Sequence, residues 1–376
     1  MPDRRAGTER VERDVAALCR RGLPWTTLWE AARGRVADAI PFEAAAFAAT
    51  DPATLLPTTG VLHELPDRYC AAILDNEIRE DDYDKLSALA RGRRHVGVLG
   101  VSTAGRPERS ARFREVLAPI GLGRQARSAC VAGGGCWAWL DLYRERGRPE
   151  FTGPEAEALG RIARSLAEAL RASLLLEGAS ARAPEDAPGL VLLGPGLERV
   201  AADAAAERWL EELGADGAAP PLVLQAVAAA ARRRDEAGEA GEAAGPPRVR
   251  ARARSGRWLT VHGFRPAGRA GVELAALIEP AAPVELAELQ VCAFGLTPAE
   301  RRVLQLTLQG LCTKEIAAAL GISPYTARDH LTHVFDKTGA RSRAQLFARL
   351  AAARPPERAR AAGPGAILAG GAREEA

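Results

Sequence analysis

Between Pro324 and Phe335 the sequence PYTARDHLTHVF gathers on one helical face side chains that could read base edges. Arg328 can fork to guanine O6 and N7, Asp329 can accept from cytosine N4, and Thr332 offers a hydroxyl together with a methyl for thymine. Tyr325 and His333 share that face. On the opposite side Ala327, Leu331, Val334 and Phe335 recur at i, i+4, i+7 and i+8, a narrow apolar stripe of the kind that faces a core. Lys314 opens the preceding short helix, where a lysine beside unpaired backbone N–H groups suits a phosphate. Lys337, Arg341 and Arg343 lie near the far end.

Such residues need short, sharply bounded helices to hold them. Thr297-Pro298-Ala299-Glu300 is a capping box with proline at the first helical position, Leu304, Leu308 and Leu311 carry the first apolar stripe, and Gly310 marks its end. Thr313 is expected to cap a second helix, TKEIAAAL, with Ile316, Ala317 and Leu320 inward. Gly321 allows a tight turn, Ser323 caps a third helix with Pro324 in its first position, and Ser342 with Gln345 opens a fourth. The second helix, the turn and the third helix fit a helix-turn-helix. From Leu296 to Leu350, eight basic residues against four acidic leave a local charge of +4, and the whole chain carries +3. Any electrostatic footprint for nucleic acid is therefore local to this segment. A merely solvated face on an ordinary helical subdomain would show the same alternation.

The remainder of the sequence excludes more than it assigns. A chain of 376 residues has room for two or three domains, and 47% apolar with 26% charged residues is a soluble globular composition. No apolar run reaches a membrane span and MPDRRAGTERVERD lacks a secretory apolar core, so a cytoplasmic protein with no membrane partner is expected. The six cysteines, Cys19, Cys70, Cys130, Cys136, Cys292 and Cys312, form no CxxC pair, which favours free thiols over disulfides or a zinc site. There is no GxxxxGK[ST] phosphate loop. Glu80-Asp81-Asp82 with Asp84 and Lys85 reads as a solvated acidic run, Gly133-Gly134-Gly135-Cys136 as a hairpin turn with an inward thiol, and His63, His95 and His262 as isolated histidines. No residue set supports catalysis, a metal or a cofactor.

The pattern along the chain implies a mixed α/β (α+β) protein. Residues 1–180 form a first domain: helical near Arg10–Ile40, strand and turn over Ala44–Leu62, a hairpin around the three glycines, and a helix capped by Thr152 that runs to about Leu176. In CWAWLDLY, strict alternation puts Cys136, Ala138, Leu140 and Leu142 on one face and Trp137, Trp139 and Tyr143 on the other. The Leu159, Ile162, Leu166, Leu170 stripe can pack on its own domain or on a second subunit. A linker of Ala, Pro and Gly over Glu177–Gly189 leads to a second domain, 186–283, with a disordered loop near 235–247. A connector helix at 284–295, a helical domain at 296–353 and a disordered tail at 354–376 complete the division.

The segment Leu296–Leu350, with its LTPAE opening, KEIAAALGIS core and KTGARSRAQL ending, resembles the C-terminal DNA-binding domain of LuxR-type transcription regulators over that domain's whole length. The resemblance implies an all-α four-helix domain whose third helix enters the major groove of double-stranded DNA, with dimers formed in part through the fourth. By position, Arg328, Asp329 and Thr332, with Tyr325, would face bases. Lys314, Thr326 and Lys337, with Thr313, His333 and Arg341, would face phosphates. Ala327 stands where valine is usual and Thr338 where leucine is usual. The first domain resembles a GAF-type sensory domain through Phe42–Gly60, Leu74–Ile78 and Gly134–Leu159, and the middle region is weakly similar to a PAS-type domain. Either could hold an unknown small-molecule ligand. Expected partners are DNA, a second copy of the chain and RNA polymerase. Two other readings stay open, a helix-turn-helix used for protein interaction and a sigma-factor-like promoter binder.

Overall fold

In the computed structural model the described residues are 4–176, 187–215, 220–238, 245–266 and 271–351. The linker expected at Glu177–Gly189 falls largely outside them, as do part of the expected loop near 235–247 and the tail at 354–376. Asp235 and Glu236 end a helix and Gly189 begins a strand.

Five strands, two of them eleven residues long, build the first sheet. They are β1 (Ala44–Thr50), β2 (Pro57–His63), β3 (Val96–Val98), β4 (Leu122–Ala132) and β5 (Gly135–Glu145), all antiparallel, in the order β2-β1-β5-β4-β3. Gly133 and Gly134 close the β4–β5 hairpin at φ +58° and +78°, left-handed conformations that favour glycine. One face is covered by α1 (Arg4–Cys19), α2 (Trp25–Ala39) and α6 (Gly153–Leu176). Thr152 and Glu155 bond each other's backbone N–H groups at the start of α6. Leu159, Ile162 and Leu166 of α6 are buried with Trp29, Phe47 and Leu140, so its stripe packs within its own unit.

The other face carries α3 (Cys70–Arg79) and α4 (Leu86–Arg91) over a polar core, and α5 (Leu99–Ser102) follows β3. Arg127 there donates to Glu77 at 2.8 Å and to Asp141 at 2.9 Å, while Arg112 donates to Gln125 and Asn76. Asp82 is not on a solvated run: its carboxylate accepts from Asn76, Ser110 and the Arg112 backbone, and Lys85 folds back on the Asn76 carbonyl. The expected faces of β5 also need one correction. The β4–β5 register slips between Cys130 and Val131, so Trp137 joins Ala138, Leu140 and Leu142, while Cys136 packs with Trp139. An extra residue in one strand reverses the alternation on its far side.

The second sheet holds β6 (Gly189–Leu193), β7 (Arg199–Ala202), β8 (Arg248–Arg252), β9 (Trp258–Phe264) and β10 (Leu274–Pro280), in the order β7-β6-β10-β9-β8. Counted from its own first strand, this is the strand order of the first sheet, although the sequence shows no repeat. Its helices are α7 (Ala204–Glu212), capped by Asp203, and α8 (Leu222–Glu236). The alanine-rich α8 is buried on several sides because it packs on β9 and also on α3 and β2 of the first unit.

Asp51, at the end of β1, meets Arg250 of β8 through two carboxylate contacts of 2.8 and 3.0 Å and accepts the Arg250 backbone N–H at 2.9 Å. Arg250 also donates to the Glu285 carbonyl in α9 (Pro283–Ala293). Burial alone would lower the Arg250 pKa, but Asp51 outweighs it and holds the guanidinium above its ordinary value. At the end of α9, Arg171 of α6 donates to the Ala293 carbonyl at 2.6 Å. A Cβ on Gly133 would come within 3.0 Å of the Gly295 Cα, so the hairpin tip touches the entry to the last helices. No helix among the described residues is long and apolar enough to cross a membrane.

Asp51 and Arg250 side chains are 1% and 5% exposed. Asp51→Ala strands a buried guanidinium and is expected to lower unfolding free energy by about 3–5 kcal/mol in urea titrations of the full chain.

Candidate nucleic-acid interface

Four helices build the C-terminal domain: α10 (Pro298–Leu308), α11 (Thr313–Leu320), α12 (Pro324–Thr338) and α13 (Arg343–Ala351). The Thr297–Glu300 capping box is formed, with Thr297 N–H donating to the Glu300 carboxylate at 2.7 Å. Ser323 accepts the Thr326 N–H at 3.0 Å at the start of α12. Gly321, at φ +64°, ends α11 in the left-handed conformation that lets α12 leave at an angle. Two small cores lock these helices. Val303, Ile316, Ala317, Ala327 and Leu331 close the α10–α11–α12 corner, and Leu296, Leu304, Val334, Leu346 and Leu350 join α10, α12 and α13.

Thr313 is not the cap of α11. That position belongs to Cys312, whose N–H donates to Glu315 at 2.6 Å. The Thr313 hydroxyl instead accepts from Arg343, which also bonds the Leu311 carbonyl and so braces the start of α11 from α13. Arg343 was placed by the sequence only as nearby charge.

The stripe Ala327, Leu331, Val334 is buried, and Tyr325, Arg328, Asp329, Thr332 and His333 all lie on the exposed side. Tyr325 is 79% exposed at the first turn. Arg328, Lys314 and Arg341 have no carboxylate partner among the described residues, which leaves three cations available to a polyanion. The Thr332 hydroxyl rests on the Arg328 carbonyl at 3.1 Å, and Thr326 shares a 2.8 Å bond with Ser323.

Lys337 has a different setting. Its ammonium donates to Glu300 at 2.7 Å and to the Gly295 carbonyl at 3.4 Å, and His333 sits 3.9 Å from the same carboxylate. Spacing along one helix gives no sign of a partner in another helix, so Glu300 was legible only as a cap. Thr338 is buried, and its hydroxyl donates to the Val334 carbonyl at 2.7 Å, which satisfies the polar group where a leucine would be apolar. Arg349 then donates to the Thr338 carbonyl at 2.6 Å and ties α13 to the end of α12.

Residues 295–350 match the family described as "Bacterial regulatory proteins, luxR family". The spore germination protein GerE of Bacillus subtilis (strain 168) is 42% identical over 55 residues, which are 15% of this chain and 74% of GerE. The chain belongs to the luxR family of bacterial regulatory proteins. A protein of Mycobacterium tuberculosis (strain H37Rv), named as an HTH-type transcriptional regulator, is 52% identical over 52 residues. The matched part is 14% of this luxR-family chain and only 6% of that relative's length. The solved structure of Escherichia coli SdiA aligns over 91% of this chain and 95% of its own at 12% identity and a TM-score of 0.27.

Burial raises the Glu300 pKa, but hydrogen bonds from Lys337 and Thr297 outweigh it and hold the carboxylate below its ordinary value. A depressed carboxylate contributes stability above its unfolded pKa, about 4.3, and that contribution fades as pH falls through the folded value. In melts between about pH 5 and pH 3, Glu300→Gln should therefore remove part of the acid-induced loss of stability seen in the parent chain.

Proposed function

We propose that this luxR-family chain is a sequence-specific DNA-binding transcription regulator. In it α12 lies in the major groove and the two sheet-bearing units sense a signal or dimerise. The observation that carries the reading is the exposed α12 face. Arg328, Asp329, Thr332 and Tyr325 stand on one side of a helix whose other side is locked into the helix-turn-helix core. Arg328 forks to guanine, Asp329 accepts from cytosine, Thr332 contacts a neighbouring base, and Tyr325 reaches a base edge or ring. Lys314, Thr313 and Thr326 at the first turns of α11 and α12 hold phosphates beside backbone N–H groups, and Arg341 follows the strand past α12. Lys337 and His333 reach phosphate from a site where Glu300 already orients them.

Support for a sensory role comes from the two antiparallel five-stranded sheets with one strand order, the kind of mixed unit that GAF-like and PAS-like domains use. A homodimer would place two α12 helices one helical turn apart on DNA, about 10 base pairs between half-site centres. The domain division follows the same logic: 1–180, 186–283, a connector at 284–295 and the helix-turn-helix at 296–353. RNA polymerase is the partner such a regulator addresses in the cytoplasm.

The test is selection of duplexes from a random pool by the full-length chain at about physiological salt. A two-fold motif is expected, and recovery of no motif would remove the reading. Arg328→Ala should relax preference at one base pair per half-site and cost about 1–3 kcal/mol on the selected duplex. Lys314→Ala should weaken all sequences alike and lower the slope of log affinity against log salt by about one. Unchanged site preference in Arg328→Ala would show that α12 does not read bases through that residue.

A further inference from the structure

The connection from α4 to β3 reads ARGRRHV, and the stretch 86–107 holds Arg91, Arg93, Arg94 and Arg106 with no acidic residue. Arg91, Arg93 and Arg94 are exposed and have no hydrogen-bond or ion-pair partner among the described residues. Many other arginines of the two sheet-bearing units are matched: Arg79, Arg127, Arg144, Arg161 and Arg232 each meet a carboxylate. Three guanidinium groups within residues 91–94 repel one another, and an anion laid along them removes that cost.

The backbone of this loop is fixed although its arginine side chains are free. Gly92 N–H donates to the Ala88 carbonyl at 2.8 Å, the His95 ring bonds the Leu89 carbonyl at 2.8 Å, and the His95 carbonyl accepts the Ala129 N–H at 2.9 Å. That last bond, with Val96 beside Ser128, sets the loop at the end of β4 that leads into the Gly133–Gly134 hairpin tip. At about 3.3 Å per residue, the tip lies roughly 13 Å along the strand from Ala129. The same end of the sheet carries the C-terminal domain. A Cβ on Gly133 would come within 3.0 Å of the Gly295 Cα, one on Gly134 would come 3.4 Å from Arg301 Nη2, and Lys337 of α12 donates to the Gly295 carbonyl at 3.4 Å. Arg301 itself bonds the Leu296 carbonyl and has no carboxylate partner among the described residues, so a further cation stands at the tip.

We propose that Arg91, Arg93 and Arg94 are a second DNA contact. The duplex held by α12 runs on past the hairpin tip, and these arginines bind backbone phosphates outside the base pairs that α12 reads. Phosphate is the anion that fits. A row of guanidinium forks on an exposed loop matches a row of phosphates and needs no pocket, and residues 91–94 hold no apolar side chain to anchor a protein partner. Such contacts carry no sequence information; they add affinity and salt dependence. They also make the first sheet-bearing unit part of the DNA-binding surface, so a shift of that unit against the C-terminal helices changes affinity without changing the bases read. The proposal rests on the reading of this chain as a DNA-binding regulator.

Fluorescence anisotropy across a salt series tests it, with the full-length parent and the variant Arg91→Ala/Arg93→Ala/Arg94→Ala. Each is titrated on the selected motif trimmed to its half-sites and on the same motif extended by one helical turn, about 10 base pairs, on each side. On the extended duplex the slope of log affinity against log salt should fall by about 2 to 3 in the variant, near 0.9 for each phosphate given up. On the trimmed duplex the two proteins should match, and base preference should be the same in both. Arg91→Lys/Arg93→Lys/Arg94→Lys, which keeps the charge, should keep the parent slope. The replaced side chains have no partners, so circular dichroism melts of all three proteins should coincide. An unchanged slope on the extended duplex, or an equal loss on both duplexes, would overturn the contact. Unchanged DNA binding together with lost capture of RNA polymerase would also overturn it and assign the loop to an acidic protein surface. A parent that selects a motif while the alanine variant keeps its slope loses only the loop contact. One that binds duplexes without preference loses only the base-reading, and one that binds no duplex loses both.

Discussion

Arg250 is the point at which three parts of the chain meet. Its guanidinium is buried, and a buried charge is tolerable only when paired and fully hydrogen-bonded. Asp51 supplies the charge from the first sheet, and the Glu285 carbonyl, with Glu288 at 3.4 Å, supplies acceptors from the connector helix. The demand for those acceptors fixes the second unit against the first and the connector against both. Burial of the apolar α8 beside α3 and β2 adds area to the joint, and Arg232–Asp75 and Arg79–Glu236 add further ion pairs across it.

The same connector delivers the C-terminal helices. Arg171 holds the end of α9, the β4–β5 hairpin tip touches Gly295, and Lys337 reaches back to the Gly295 carbonyl from α12. A change in the strands of the first sheet therefore has a short physical path to the helix that carries Arg328. The path is made of backbone contacts at two glycines with positive φ, where neither side has a Cβ to act as a cushion. Meanwhile Tyr325, Arg328, Asp329 and Thr332 of α12 stay exposed.

The C-terminal domain was the most legible part of the sequence. Its signals are local: Thr297–Glu300, Ser323 and Gly321 each act within four residues, and the stripe of α12 needs only the helical period. The capping of α11 by Cys312 rather than Thr313 escaped because the Glu315 side chain closes onto a backbone N–H and asks little of the cap residue's own side chain. The Lys337–Glu300 ion pair escaped because the two residues lie two helices apart. In the first unit, the bulge beside Cys130 inverted the expected faces of Trp137 and Cys136, and Asp82 proved a buried acceptor inside what reads as a solvated acidic run. The shared order of the two sheets was invisible because strand pairing repeats there while side chains do not. Long-range pairing has no signature in spacing along a single chain.

Methylation protection of guanine N7 on a selected duplex, with the full-length chain bound, probes the proposed contact of α12 with DNA. Guanines are expected to be shielded in the major groove at two positions about one helical turn apart, and to lose that shielding with Arg328→Ala. Tight binding with no guanine shielded in either half-site, or shielding that Arg328→Ala leaves intact, would contradict it.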